Sequence, residues 1–161
     1  MRILAVDPGY DRLGIAIVER EGTGKESLLY SECLETQKKH RHEERLLVVS
    51  KRLAEIIRDH SPSVLATETL FFSVNQKTAL KVAEVRGVIL TEAARASLPV
   101  FEYNPMQVKV AVTGYGKSDK DQVIFMTKKI LRINKEALDD EYDAMAIGIT
   151  CFATERFTEK K

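Results

Sequence analysis

Two short apolar runs, each ending in a carboxylate and separated by an amphipathic helix, constrain this chain more than any other feature in it. The first is Ile3-Leu4-Ala5-Val6-Asp7, stopped by Pro8-Gly9, and the second is Ser63-Val64-Leu65-Ala66-Thr67-Glu68. An apolar run without alternation suits a strand covered on both faces, and Pro-Gly supplies the fixed and the permissive φ that stop it. Between the runs, Leu46, Val49, Leu53, Ile56 and Ile57 recur at helical spacing, which predicts an amphipathic helix over residues 43–59, ended by Ser61-Pro62. Strand, helix and strand make a crossover, so the second strand is expected to lie parallel to an earlier one. If that neighbour is the first strand, Asp7 and Glu68 leave the sheet at one edge. Two acids held close together repel and favour a cation between them. An Asp before Pro-Gly is, taken alone, ordinary turn chemistry, so this reading depends on acids further along the chain.

Leu13–Glu19 and Ser27–Leu34 flank a Gly22-Thr23-Gly24 turn and read as two further strands, giving an antiparallel meander with the first. Beyond Glu68, residues 70–74 carry the adjacent aromatics Phe71 and Phe72, and an Ala-rich helix is expected over about residues 75–97. Pro99–Tyr103 gives a fifth strand. Asn104-Pro105 opens a short helix that Gly114-Tyr115-Gly116 breaks, and Ser118 is expected to cap the next helix, with Asp121 in its first turn. Lys109, Lys117 and Lys120 gather about the glycine break. Glycines ahead of a helix N-terminus suit a phosphate, although the spacing matches neither a nucleotide fingerprint nor a P-loop. In the last helix, which begins near Leu138, Asp140 and Asp143 are three apart and share a face that Ala144, Ile147 and Cys151 can pack against the sheet.

A length of 161 residues predicts one domain, here residues 1–157, followed by a short charged tail at 158–161. At 44% hydrophobic and 30% charged, the composition is that of a soluble globular chain, and no apolar run approaches membrane-spanning length. Met1-Arg2 leads directly into the first strand without a secretion-type stretch, and Cys33 and Cys151 lack metal-ligand spacing. Both features point to a cytoplasmic protein with reduced, buried thiols. His40, His42 and His60 lie among charges and read as surface residues. The net charge of +1 is unevenly spread: residues 71–133 hold 10 Lys/Arg against 5 Asp/Glu, residues 1–70 hold 11 against 12, and residues 134–161 hold 4 against 7. A middle stretch of +5 beside an end of −3 suits a chain that grips phosphates with one surface and cations with another.

Asp7, Glu68 and the Asp140/Asp143 pair thus present acid from two strand ends and one helix. With no His or Cys in the pattern, such hard oxygen donors suit Mg²⁺ or Mn²⁺. Two such ions about 3.5 to 4 Å apart activate a water and stabilise the leaving oxygen in phosphodiester cleavage. The element order fits an α/β, ribonuclease H-like three-layer fold in which helices flank a five-stranded mixed sheet.

The chain also resembles a specific family, the bacterial Holliday junction resolvase RuvC, over nearly its whole length. The residues that carry the resemblance are Asp7-Pro8-Gly9 with Gly14, Glu68 with Phe71, Asn75 with Ala79-Leu80-Lys81, Arg86-Gly87-Val88 and Pro99-Val100-Phe101-Glu102-Tyr103. They continue through Gln107-Val108-Lys109, Gly114-Tyr115-Gly116 with Lys120, Gln122-Val123, and Asp140 with Asp143-Ala144-Met145-Ala146-Ile147. The resemblance implies a crossover junction endodeoxyribonuclease whose four acids hold two Mg²⁺ ions per subunit, with Mn²⁺ able to substitute. It assigns DNA contacts to Phe71, Phe72, Lys81, Arg86, Lys109, Lys117 and Lys120, with an aromatic engaging unpaired bases. It further implies a homodimer that cuts two strands of like polarity, working with a branch-migration motor, RuvA and RuvB.

Some positions depart from that pattern. Ala83-Glu84-Val85 stands where Gly-Gln-Ala is usual, Asp139 and Glu141 offer alternatives to Asp140, and Phe72 offers an alternative to Phe71. Three other functions share parts of the pattern. A related nuclease acting on RNA shares the opening strand, but the block from Phe71 to Val88 argues against it. A non-catalytic junction-binding protein would not need all four acids. A sugar-kinase or actin-type nucleotide binder needs two such domains, for which this chain is too short.

Overall fold

The structure is a computed structural model that describes residues 1–22, 24–69, 76–134 and 136–157, with the side chains of 76–78 left aside. Ten elements follow in the order β1 (Arg2–Asp7), β2 (Arg12–Arg20), β3 (Glu26–Glu35), α1 (His42–His60), β4 (Val64–Glu68), α2 (Gln76–Arg95), β5 (Val100–Tyr103), α3 (Pro105–Thr113), α4 (Lys120–Leu131) and α5 (Asp139–Thr154). The strands form one sheet in the order β3-β2-β1-β4-β5. The pairs β1/β2 and β2/β3 are antiparallel, as hairpin connections dictate, whereas β1/β4 and β4/β5 are parallel, as their helical crossovers require. The expected crossover therefore places β4 directly beside β1.

Period-two alternation divides the sheet between two cores. Leu4, Val6, Leu13, Ile15, Ile17 and Leu65 face α1 and α2, meeting Val49, Leu53, Ile56, Val85, Ile89 and Ala93. Ile3, Ala5, Ala16, Val18 and Ala66 face the opposite layer, in which α5 carries Ala144, Met145, Ile147 and Cys151 and is backed by α3 and α4. Ile3, Leu4, Leu65 and Met145 are fully enclosed, each side chain contributing about 1.5 to 3 kcal/mol by leaving water. β1 and β4 read as continuous apolar runs because both of their faces are covered. β3, at the sheet margin, alternates between exposed and half-buried over its first residues.

The helix ends follow local chemistry, with one departure from expectation. α3 starts with an Asn104/Gln107 capping box and stops at Gly114, whose φ of 78° lies in the left-handed region glycine tolerates. α4 is capped by Asp119, paired with Gln122, and not by Ser118. Ser118 is buried, and its hydroxyl bonds Tyr115 O and Thr113 Oγ1, tying off the glycine turn one residue before the helix begins. Two further expectations need correction. His42 is half-buried and bridges Tyr10 Oη at 2.8 Å and Glu84 at 2.9 Å, and His60 lies against the Tyr30 ring. Cys151 is buried as expected, but Cys33 is only half-buried. Among the described residues no helix is long and apolar enough to cross a membrane.

Candidate active site

Pleat and register together bring the acids to one place. Ala5 faces the α5 layer, so Asp7, two residues on, faces it too, and Glu68 follows Ala66 in the same way on β4. The register pairs Val6 with Thr67, which sets Asp7 and Glu68 side by side at the carboxyl ends of adjacent parallel strands. α5 contributes the remaining acids, and Gly14 fixes its height. A Cβ on Gly14 would lie 1.9 Å from the backbone oxygen of Asp140, so only glycine lets the first turn of α5 seat on β2. Asp143 follows one helical turn beyond Asp140.

The electrostatics report the convergence. The Asp7 carboxyl is raised from 3.8 to about 7, first by burial and then by the charges of Asp143, Glu68 and Asp140, with Lys120 partly offsetting them. Glu68 is raised by burial and by Asp143. Asp143 is raised chiefly by burial, against the pull of Lys120. Basic side chains supply the counter-charge. Lys120 Nζ lies 3.1 Å from Asp139 and 3.4 Å from Asp143, and Arg12 lies 3.2 Å from Asp140. The Cys33 thiol approaches Asp140 Oδ2 at 3.8 Å and is pushed up to about 11, by burial first and then by Asp140.

The three consecutive acids at the start of α5 part company. Asp140 belongs to the field acting on Asp7 and is largely enclosed. Asp139 is 61% exposed and turns to Lys120. Glu141 is buried, accepting from Ser31 Oγ at 2.6 Å and from the Leu138 backbone N–H at 3.3 Å, so it fastens the helix to β3 and closes its N-terminus.

A cluster made only of carboxylate oxygens, crowded enough to hold a proton on Asp7 near neutrality, fits a hard divalent cation. Among the described residues no three acids, His or Cys stand in ligand positions, and Asp140 and Asp143 are paired with Arg12 and Lys120.

The basic residues sort into two groups around the acids. Lys109 and Lys120 line a cavity of about 200 Å³ together with Glu68, Val108, Val123 and Asp143, and Lys117 is exposed on the loop beside it. Lys81 lines a second, larger concavity that includes Asp140. Arg86 stands apart from both, paired with Glu102 of β5. The amide end of α4 is occupied by the Asp119 carboxylate, bonded to Gln122 N at 2.8 Å, so the anion seat expected after the glycines is filled by the chain itself. Phe71 and Phe72 lie outside the described residues. Sequence reasoning missed Arg12 and Cys33, whose only signal was their place two residues before Gly14 and directly opposite it in the β2/β3 register.

Comparison with known proteins gives a consistent result. The family model described as crossover junction endodeoxyribonuclease RuvC matches residues 3–151. A crossover junction endodeoxyribonuclease RuvC of Pelotomaculum thermopropionicum is 43% identical over 162 residues, covering 100% of this chain and 98% of its own. One from Thermosipho melanesiensis is 40% identical over 156 residues, covering 96% and 98%. Among solved structures, T. thermophilus RuvC in complex with Holliday junction substrate superimposes with a TM-score of 0.88 at 33% identity, covering 93% of this chain and 92% of that one.

Proposed function

The chain belongs to the RuvC family of crossover junction endodeoxyribonucleases, and from that premise we propose that it resolves four-way DNA junctions in recombination and repair. The observation that carries the reading is the convergence of Asp7, Glu68, Asp140 and Asp143 from two strand ends and one helix, with Lys109 and Lys120 beside them. Asp7, Glu68, Asp140 and Asp143 would hold two Mg²⁺ ions, with Mn²⁺ able to replace them. When bound, these cations stabilise charge on the reacting phosphate and make the attacking water more acidic. The side chains of the protein do the rest. The carboxylates of Asp7 and Glu68 are fixed by adjacent strands, so they form a rigid floor, while α5 brings Asp140 and Asp143 down onto it. Lys120 neutralises Asp143 in the free protein and is placed to turn to a substrate phosphate, with Lys109 holding the strand alongside. Lys81, Arg86 and Lys117 extend the contact surface, and Phe71 or Phe72 stacks on unpaired bases at the junction centre.

Paired cutting needs two such sites. The apolar groove between α1 and α2, about 520 Å³ and lined by Leu46, Leu47 and Val88, supports a second copy seated there, on the face of the sheet away from α5. Residues 1–157 act as one nuclease domain, working with a branch-migration motor of the RuvA and RuvB type in the cytoplasm. The test is incubation with a labelled four-way junction and, in parallel, a linear duplex, each with Mg²⁺ or EDTA. The junction is expected to be cut symmetrically with Mg²⁺ alone and the duplex left whole. Equal cutting of both, or cutting in EDTA, would overturn the proposal.

A further inference from the structure

The second concavity beside the acids is as notable for its walls as for its position. It holds about 560 Å³ at the β1–β2 turn, and its charged lining is Arg12, Lys38, Arg45 and Lys81 with Asp11 and Asp140. Four cationic side chains thus stand against two acids. The acids are already engaged, since Asp140 pairs with Arg12 at 3.2 Å and Asp11 pairs with Arg45 at 2.5 Å. Arg45 is buried and forms part of the floor, bonding Thr36 Oγ1 and Tyr10 O and lying 3.8 Å from the centre of the Tyr10 ring. Lys81 Nζ lies 5.0 Å from the same ring centre on its α2 stem, and Lys38, 82% exposed, reaches only to within 3.8 Å of Asp11. The excess positive charge is therefore carried by two lysines at the rim of a rigid floor.

This concavity shares no lining residue with the Lys109/Lys120 cavity, yet each reaches the same acid cluster, one through Asp140 and the other through Glu68 and Asp143. The acids repel a nucleic acid strand, and a strand crossing them is held only if positive charge meets its phosphates on both sides. Lysine suits that task, being a mobile point charge for a phosphate. We propose that the concavity at the β1–β2 turn seats a backbone phosphate of the cut strand, held by Lys38 and Lys81, on the flank of the acids opposite Lys109 and Lys120. The proposal rests on the junction-cutting reading and adds a binding site to it.

A substrate–variant cycle tests this. Lys38→Ala/Lys81→Ala is compared with the unaltered protein on four-way junctions in EDTA, across a range of salt. Each junction carries a symmetric pair of uncharged methylphosphonates, one facing each subunit, moved stepwise through the phosphates around the two cut sites. The double variant, which lacks the seat in both subunits of the dimer, is expected to bind roughly a hundredfold more weakly and to lose about 1.8 from the log–log salt slope, as for two phosphate contacts. One position of the methylphosphonate pair should weaken the unaltered protein by the same factor and leave the double variant unchanged. Lys38→Arg/Lys81→Arg should restore both binding and slope, which a fold defect would not allow. Losses that multiply at every position, or an unaltered slope, would overturn the seat. Cleavage of the unmodified junction with Mg²⁺ is measured alongside. If the unaltered protein fails to cut, the nuclease reading fails; if it cuts while the losses multiply, only the seat fails.

Discussion

At Asp140, one carboxylate among three consecutive acids is selected by what its neighbours do. Its charge reaches Asp7, whereas Asp139 meets solvent and Lys120, and Glu141 closes the helix against Ser31. Asp7→Asn, Glu68→Gln, Asp140→Asn and Asp143→Asn are therefore each expected to abolish junction cleavage in Mg²⁺ while junction affinity in EDTA stays level or rises slightly, a negative charge facing phosphates having gone. Asp139→Asn should cleave normally. Glu141→Gln should also cleave, but at a cost of about 1 to 2 kcal/mol in denaturant unfolding, because it weakens charged hydrogen bonds that hold α5. A dead Asp139→Asn with an active Asp140→Asn would shift the ligand by one residue. The four acids were legible in the sequence as types at strand ends and on one helix face. Which of the three on α5 turns inward was not, since i and i+1 on a helix differ by a rotation that only packing against β2 and β3 decides.

α5 shows how far a motif glycine can be understood from the sequence and where tertiary contact takes over. Gly14 stood out in the pattern, but its reason is the backbone oxygen of Asp140, 1.9 Å from where a Cβ would sit. Gly14→Ala should force the first turn of α5 away from β2, costing about 1 to 3 kcal/mol in unfolding experiments. Cleavage should fall far more than junction binding, although all four acids remain. Unaltered cleavage would show that the seat of α5 does not set the site. The same limit applies at α4. Ser118 and Asp119 are both good capping residues, and the choice between them was made by a turn that buries the Ser118 hydroxyl against Tyr115 O and Thr113. The short, non-alternating runs of β1 and β4 and the periodic run of α1 agreed with expectation to within a residue or two, because burial on two faces or along one stripe writes itself directly into sequence. His42 did not, since its partners, Tyr10 and Glu84, come from a turn and another helix.

For the molecule as a whole, the acid cluster is a store of unfavourable charge that folding must carry, and this sets its response to pH and metal. Asp7 is raised from 3.8 in the unfolded chain to about 7 in the fold, so the folded state holds that proton more tightly. The corresponding stability is fully present below about pH 4 and is lost as pH rises toward 7, amounting to at most roughly 4 kcal/mol for this group. Glu68 and Asp143 shift in the same direction. In EDTA, Tm is therefore expected to fall between about pH 5 and pH 8, against the trend of proteins whose carboxylates are ion-paired. Asp7→Asn removes the largest contributor and should flatten that fall, leaving the variant more stable than the parent at about pH 8. A divalent cation takes the place of the proton, and its ligands must be ionised to bind it. Mg²⁺ should therefore raise Tm more at about pH 8 than at about pH 5, and at limiting Mg²⁺ cleavage should fall as pH is lowered, because the proton on Asp7 competes with the cation. Thermal melts of the protein and of Asp7→Asn, with Mg²⁺ or EDTA across this range, measure all of these slopes together. A parent whose stability in EDTA climbs steadily with pH, with no difference from Asp7→Asn, would mean that the four carboxylates do not share one field, and the two-metal proposal would lose its physical basis.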